Sequence, residues 1–177
     1  MTVSLMKSDR SQVKDTNEHV SFYGHEIVPL IREILRGGGS FELTVSGTSM
    51  FPTLKPERDQ VRLVLPNWKE MDKYPVLFFQ RDNGTYVLHR MIRKTPEGLL
   101  KINGDAQVWT EQIRPDQVIG VVNAIRRNGR WISVKNPWYG LYVMFWRRIR
   151  PLRPGYFWAR RIAGRLLCHR TGNGRQR

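Results

Sequence analysis

Residues 75–92 read PVLFFQRDNGTYVLHRMI. Pro75 to Gln80 is an apolar, aromatic-rich run of strand length, and Thr85 to Ile92 is a second. Between them Asp82-Asn83-Gly84 supplies what a tight reversal needs: Asp and Asn bond to nearby backbone, and Gly accepts a positive φ. The stretch predicts a β-hairpin. Similar runs recur at short intervals on both sides: Ser40 to Ser46 (SFELTVS), Gln60 to Leu65 (QVRLVL), Leu99 to Ile102 (LLKI) and Val118 to Ile125 (VIGVVNAI). In the first of these, Phe41, Leu43 and Val45 alternate with polar neighbours, the period of a half-buried strand. Arg127-Asn128-Gly129-Arg130 reads as another turn. Short strands punctuated by turns predict a mainly β domain, a coiled antiparallel sheet or partly closed barrel.

The flanks differ from this body. Residues 1 to 22 are polar and without period, which predicts a flexible arm. His25 to Arg36 (HEIVPLIREILR) places Ile27, Leu30, Ile31, Ile34 and Leu35 at helical spacing. Pro29 predicts a start close to it, and Gly37, Gly38 and Gly39 a stop. From residue 136 a basic, aromatic tail begins. Trp138 to Trp146 (WYGLYVMFW) is followed by Arg147, Arg148 and Arg150. Pro151 and Pro154 interrupt, and Gly155 to Cys168 resumes with helical spacing. The expected division is an arm over 1–22, a β domain with its leading helix over 23–135, and a helical tail over 136–177.

Composition bounds the function. A chain of 177 residues with 40% hydrophobic and 25% charged residues suits one folded domain with an appendage. The single Cys168 excludes an intrachain disulfide framework and a Cys-based zinc site. No apolar run reaches spanning length, and the first residues lack the apolar stretch of a secretory signal. These features predict a chain on the cytoplasmic side. The net charge of +15 is uneven: fourteen of the thirty basic residues and none of the fifteen acidic ones lie from Gln117 onward. A near-neutral body thus carries a cationic tail.

The chemistry centres on Ser46 to Leu54, SGTSMFPTL. A serine in a Gly/Ser/Thr-rich turn directly after a strand offers an accessible hydroxyl with free backbone N–H groups beside it. Acyl transfer needs a nucleophile and an oxyanion site of that kind. On spacing alone, an ordinary turn stiffened by Pro52 is the commoner reading.

Three segments in order change that reading. Gly47-Thr48-Ser49-Met50-Phe51-Pro52 resembles the Ser-Met-x-Pro nucleophile box of the type I signal peptidases and their LexA-like relatives. Val87-Leu88-His89-Arg90-Met91-Ile92 resembles the second box, where Lys or His precedes Arg. Asn103-Gly104-Asp105-Ala106 resembles the Gly-Asp box. The resemblance covers roughly residues 27–125 and implies the β-rich catalytic core of that superfamily. It puts Ser49 on the nucleophile and His89 on the general base, as in the endoplasmic-reticulum and archaeal-type enzymes, where most bacterial ones use Lys. His titrates near neutrality without the desolvation a lysine base requires, but works best when a carboxylate orients it. Asp105 is the natural partner, with Glu111 the one substitute nearby. The family's serine two positions before the nucleophile is here Gly47. The Ser49 N–H and the Thr48 hydroxyl therefore become the oxyanion donors, while Met50 and Pro52 shape the turn and cleft. Neither metal nor cofactor is implied.

For the tail, aromatic rings and arginines suit a headgroup-level interface with anionic lipid. The expected contacts are Trp146, Arg147, Arg148, Arg150, Trp158, Arg160 and Arg161. Packing onto the β domain ranks second and nucleic acid last. The sequence-level expectation is a serine endopeptidase that removes a leader or signal segment from a peptide or protein precursor, peripherally bound on the cytoplasmic side. The alternatives are a non-catalytic membrane-surface or nucleic-acid-binding β domain and a LexA-like self-cleaving regulator. The last would need an N-terminal DNA-binding domain that about 40 residues with one helix cannot supply.

Overall fold

The computed structural model describes residues 3–4, 21–22, 24–71 and 73–149. Two short strands, β1 (Val3–Ser4) and β2 (Ser21–Phe22), pair with one another; the rest of the expected arm lies outside the described residues. The body is α1 (Gly24–Arg36), then β3 (Phe41–Thr44), β4 (Gln60–Val64), β5 (Val76–Gln80), β6 (Tyr86–Lys94), β7 (Leu100–Asn103), β8 (Glu111–Ile113), β9 (Val118–Arg127) and β10 (Arg130–Ser133). It ends with α2 (Pro137–Arg148).

The predicted hairpin forms. Strands β5 and β6 pair antiparallel with Val76 opposite Arg90 and Gln80 opposite Tyr86. Gly84 closes the turn at φ +81°, and the Asn83 side chain accepts from the Thr85 N–H at 3.1 Å. The second turn also forms, with Asn128 and Gly129 both at positive φ, as a two-residue hairpin requires.

The eight strands make one antiparallel sheet in the order β3-β4-β9-β5-β6-β7-β8, with β10 on a free stretch of β9. The sheet does not close into a barrel. It coils instead: Leu77 and Phe79 of β5 meet Leu100, Ile102 and Ile113 of β7 and β8, strands that are not their hydrogen-bonded neighbours. The opposite face of β5 carries Val76 and Phe78 into a larger core with α1, Met50 and Leu54. Strand β5 is therefore buried on both faces, which explains its unbroken apolar run.

Helix α1 begins at Gly24, earlier than Pro29 suggests, and Pro29 lies inside it. Its inward residues are Ile27, Val28, Ile31 and Leu35, while Leu30 is half exposed. The helix stops in a Schellman motif. Gly39 N–H donates to Ile34 O at 2.9 Å and Gly38 N–H to Leu35 O at 3.1 Å, with Gly38 at φ +79°. Helix α2 starts at a capped end, where the Asn136 side chain accepts from Trp138 N–H at 2.9 Å and Pro137 fills the first turn.

Where α1 crosses β9, a side chain at Gly120 would meet Leu35 Cδ1 at 2.9 Å and Leu63 Cβ at 3.3 Å. Gly120→Val is expected to force the layers apart and cost about 1–3 kcal/mol. Chemical denaturation measures this; an unchanged midpoint would contradict the tight crossing.

Candidate active site

The Ser49 turn follows β3 and is held by its carbonyl groups. Thr48 O accepts from Phe51 N–H at 3.0 Å, Met50 O accepts from Leu54 N–H at 3.0 Å, and Ser49 O accepts from Ala106 N–H at 2.8 Å. None of these bonds uses the Ser49 N–H. Gly47 stands at φ +78° and is exposed with Thr48, Ser49 is half-buried, and Met50 is sealed in the core. The Phe51–Pro52 peptide is cis. The turn thus leaves its serine half-buried beside two exposed residues and drives its methionine inward.

A second brace holds the far side of the loop. Buried Asp59 accepts from Arg58, from Lys55 N–H at 3.0 Å and from Arg127 Nη2 at 2.7 Å. Arg127 also donates to Thr53 O at 2.7 Å. Burial pushes the Asp59 carboxyl up, but these donors outweigh it and hold the group below its usual range.

Strand β6 presents His89 and Arg90 to opposite faces, as the pleat requires. The His89 ring packs by Phe79 and edge-on to Trp109, is 2% exposed, and meets Glu111 with Nδ1 at 2.9 Å from Oε1. Glu111 is in turn gripped by Arg81, whose Nε and Nη2 each donate at 2.7 Å. A carboxylate can only accept, so Nδ1 carries the proton and Nε2 holds the lone pair a general base uses. Burial lowers the His89 pKa below 6.5. Glu111 opposes that shift without reversing it. Burial raises Glu111, but Arg81 and His89 outweigh it and keep the carboxylate ionised below its normal value. The ring is therefore neutral at neutral pH and faces a fixed negative partner.

Asp105 has a different role from the one the sequence suggests. It is not the partner of His89: it pairs with Arg90, whose Nε lies 3.0 Å from Oδ1 and whose Nη2 lies 2.8 Å from Oδ2. The Thr53 hydroxyl also lies in hydrogen-bond contact with Asp105. Arg90 further donates to Tyr74 O at 2.9 Å, and Trp146 Nε1 donates to Asp105 O at 2.9 Å. Burial disfavours the Arg90 charge, yet Asp105 and Tyr139 overcome that and hold its pKa above the ordinary value. The physical reason for the reassignment is the pleat, which turns Arg90, not His89, toward the Gly-Asp turn.

One connected stretch touches both candidate groups. Ala106 N–H holds Ser49 O, while Trp109 and Glu111 line His89. Asn103 clasps this stretch from within, donating to Gln107 O at 3.1 Å and to Trp109 O. Gly104 lets it close, since a side chain there would sit 2.8 Å from Ser49 O. No protein-family model, curated protein or solved structure matches this chain.

The tail residues divide. Trp146 is buried on the body, so it is not an outward lipid contact. Arg147 stacks 3.2 Å over the Tyr74 ring, and Arg148 is exposed. Arg150, Trp158, Arg160 and Arg161 lie outside the described residues. Among the described residues no three His, Cys, Asp or Glu side chains converge as a metal-ligating group. Sequence reasoning missed Arg81 and Thr53; Arg81 sits at a hairpin corner, where nothing local marks it.

Breaking the buried Arg90–Asp105 pair on one side leaves an uncompensated charge. Arg90→Met or Asp105→Leu alone is expected to cost about 3–5 kcal/mol, and the double variant to recover most of it. Urea denaturation of the cycle reads the coupling; additive losses would contradict it.

Proposed function

We propose that this chain is a serine endopeptidase of the signal peptidase type, removing a leader or signal segment from a peptide or protein precursor. The observation that carries the reading is the His89 Nδ1–Glu111 contact of 2.9 Å, formed by the same stretch that holds the Ser49 turn. An open, coiled antiparallel sheet is compatible with the signal peptidase–LexA architecture that the three boxes suggest.

In this mechanism Ser49 Oγ attacks the scissile carbonyl and passes its proton to His89 Nε2. The Ser49 N–H and the Thr48 hydroxyl serve the developing oxyanion. The imidazolium is stabilised by Glu111, then protonates the leaving amine. Water, activated by the same ring, releases the acyl group. Glu111 takes the orienting role in place of Asp105, and Arg81 fixes Glu111 by a two-point grip. Asp105 is structural. The substrate is an extended precursor segment reaching the turn.

Comparing protein N-termini in cells carrying the wild-type chain and Ser49→Ala tests this directly. One precursor or a small set is expected to keep its leader only in the variant. Coincident N-terminal maps, with the variant folded and expressed, would sink the peptidase reading.

The pH dependence has a definite sign. Because burial holds His89 below 6.5, the acid limb of kcat/KM is expected below that value. Glu111→Gln removes the group that raises the ring's pKa, so the limb should move further toward acid. The same variant should lower kcat by about 10²–10⁴-fold, since the tautomer and the imidazolium lose their support. A limb moving toward neutrality would contradict the assignment. The linkage has the same direction: the unfolded chain takes up this proton more readily, so the His89 contribution to stability is present above pH 6.5 and is lost as pH falls through the lowered value.

A further inference from the structure

We propose that the outward face of α2 is a seat for an anionic lipid surface. Helix α2 is apolar on both sides. Its inner side, with Tyr139, Val143 and Trp146, packs on the body. Its outer side exposes Trp138 at 77%, Leu141 at 57%, Met144 at 56% and Phe145 at 63%. At 3.6 residues per turn, Trp138, Leu141, Phe145 and Arg148 form one stripe with Met144 beside it. Apolar on all sides is the pattern of a covered helix, and an exposed cluster of large side chains marks an interaction surface.

Charge selects the occupant. The stripe ends in exposed Arg148, Lys135 is exposed just before the helix, and no acidic residue occurs from Gln117 to Arg177. Aromatic side chains beside a one-sign basic field suit phospholipid headgroups over an acyl boundary. With 12 residues α2 is far shorter than the roughly 20 needed to span, so it lies along the surface. Trp146 bonds Asp105 O at 2.9 Å, which fixes the seat rigidly to the turn that holds Ser49. This inference does not rest on the peptidase reading, because lipid binding is measured without turnover.

Flotation of the full chain tests it, using phosphatidylcholine vesicles with and without phosphatidylglycerol. The chain is expected to float with the anionic vesicles, to be released by high salt, and to float poorly with phosphatidylcholine alone. Leu141→Ser/Phe145→Ser removes only outward side chains, so the melting curve should hold. The partition constant should fall at least about tenfold. Tryptophan quenching by brominated lipid, reduced in Trp138→Phe, reads the same face independently of the double variant. Absence of binding to anionic vesicles would overturn the proposal. So would unchanged binding of a folded double variant together with unchanged quenching in Trp138→Phe. Self-association abolished by the double variant without lipid binding would assign the face to a second copy instead.

Discussion

The buried ion pair between Arg90 and Asp105 joins four parts of the molecule that are distant in sequence. It links strand β6, which carries His89, to the Gly-Asp turn, reaches Thr53 beyond the Ser49 turn, and through Asp105 O meets Trp146 of α2. Two charges inside a protein are tolerable only when each is opposed and hydrogen-bonded on its remaining sides. Here Tyr74 O accepts from the guanidinium while the Thr53 hydroxyl and the Arg90 nitrogens surround the carboxylate. Moving β6 or the Gly-Asp turn would leave a charge unanswered, and moving Thr53 or Trp146 would leave a hydrogen bond unmade. The cost of burial therefore becomes a constraint on geometry.

That constraint reaches His89 through the pleat. Consecutive residues of a strand face opposite ways, so fixing Arg90 on one face fixes His89 on the other. There the ring is enclosed by Phe79 and Trp109 and meets Glu111, itself aligned by Arg81. The two carboxylates have different work because they lie on different sides of one sheet. Asp105 neutralises a buried arginine, and Glu111 orients an imidazole.

Much of the fold was legible because its signals are local. Alternation and turn chemistry identify β3 to β7 and β9, and the glycines after Arg36 stop α1 by a motif that needs them. Less local features escaped. Glu111–Ile113 and Arg130–Ser133 form strands only because β7 and β9 offer them an edge. Val28 replaces Leu30 on the inner side of α1 because the sheet, not the helix pattern, decides which arc is covered. In the site, box order suggests Ser49 and His89, but the partner carboxylate depends on which face each side chain takes. Asp105 was the nearer motif and Glu111 the contact. Likewise, composition marks the tail as aromatic and basic without saying that Trp146 turns inward while Trp138 and Phe145 turn outward.

Proton NMR of the imidazole N–H region tests the Glu111 assignment most directly. A carboxylate-bound Nδ1–H should give a far-downfield resonance, assigned to His89 by its loss in His89→Gln. It should disappear in Glu111→Gln while the dispersion of the sheet signals is retained. The same resonance surviving in Glu111→Gln would contradict the pairing and return the role to another carboxylate.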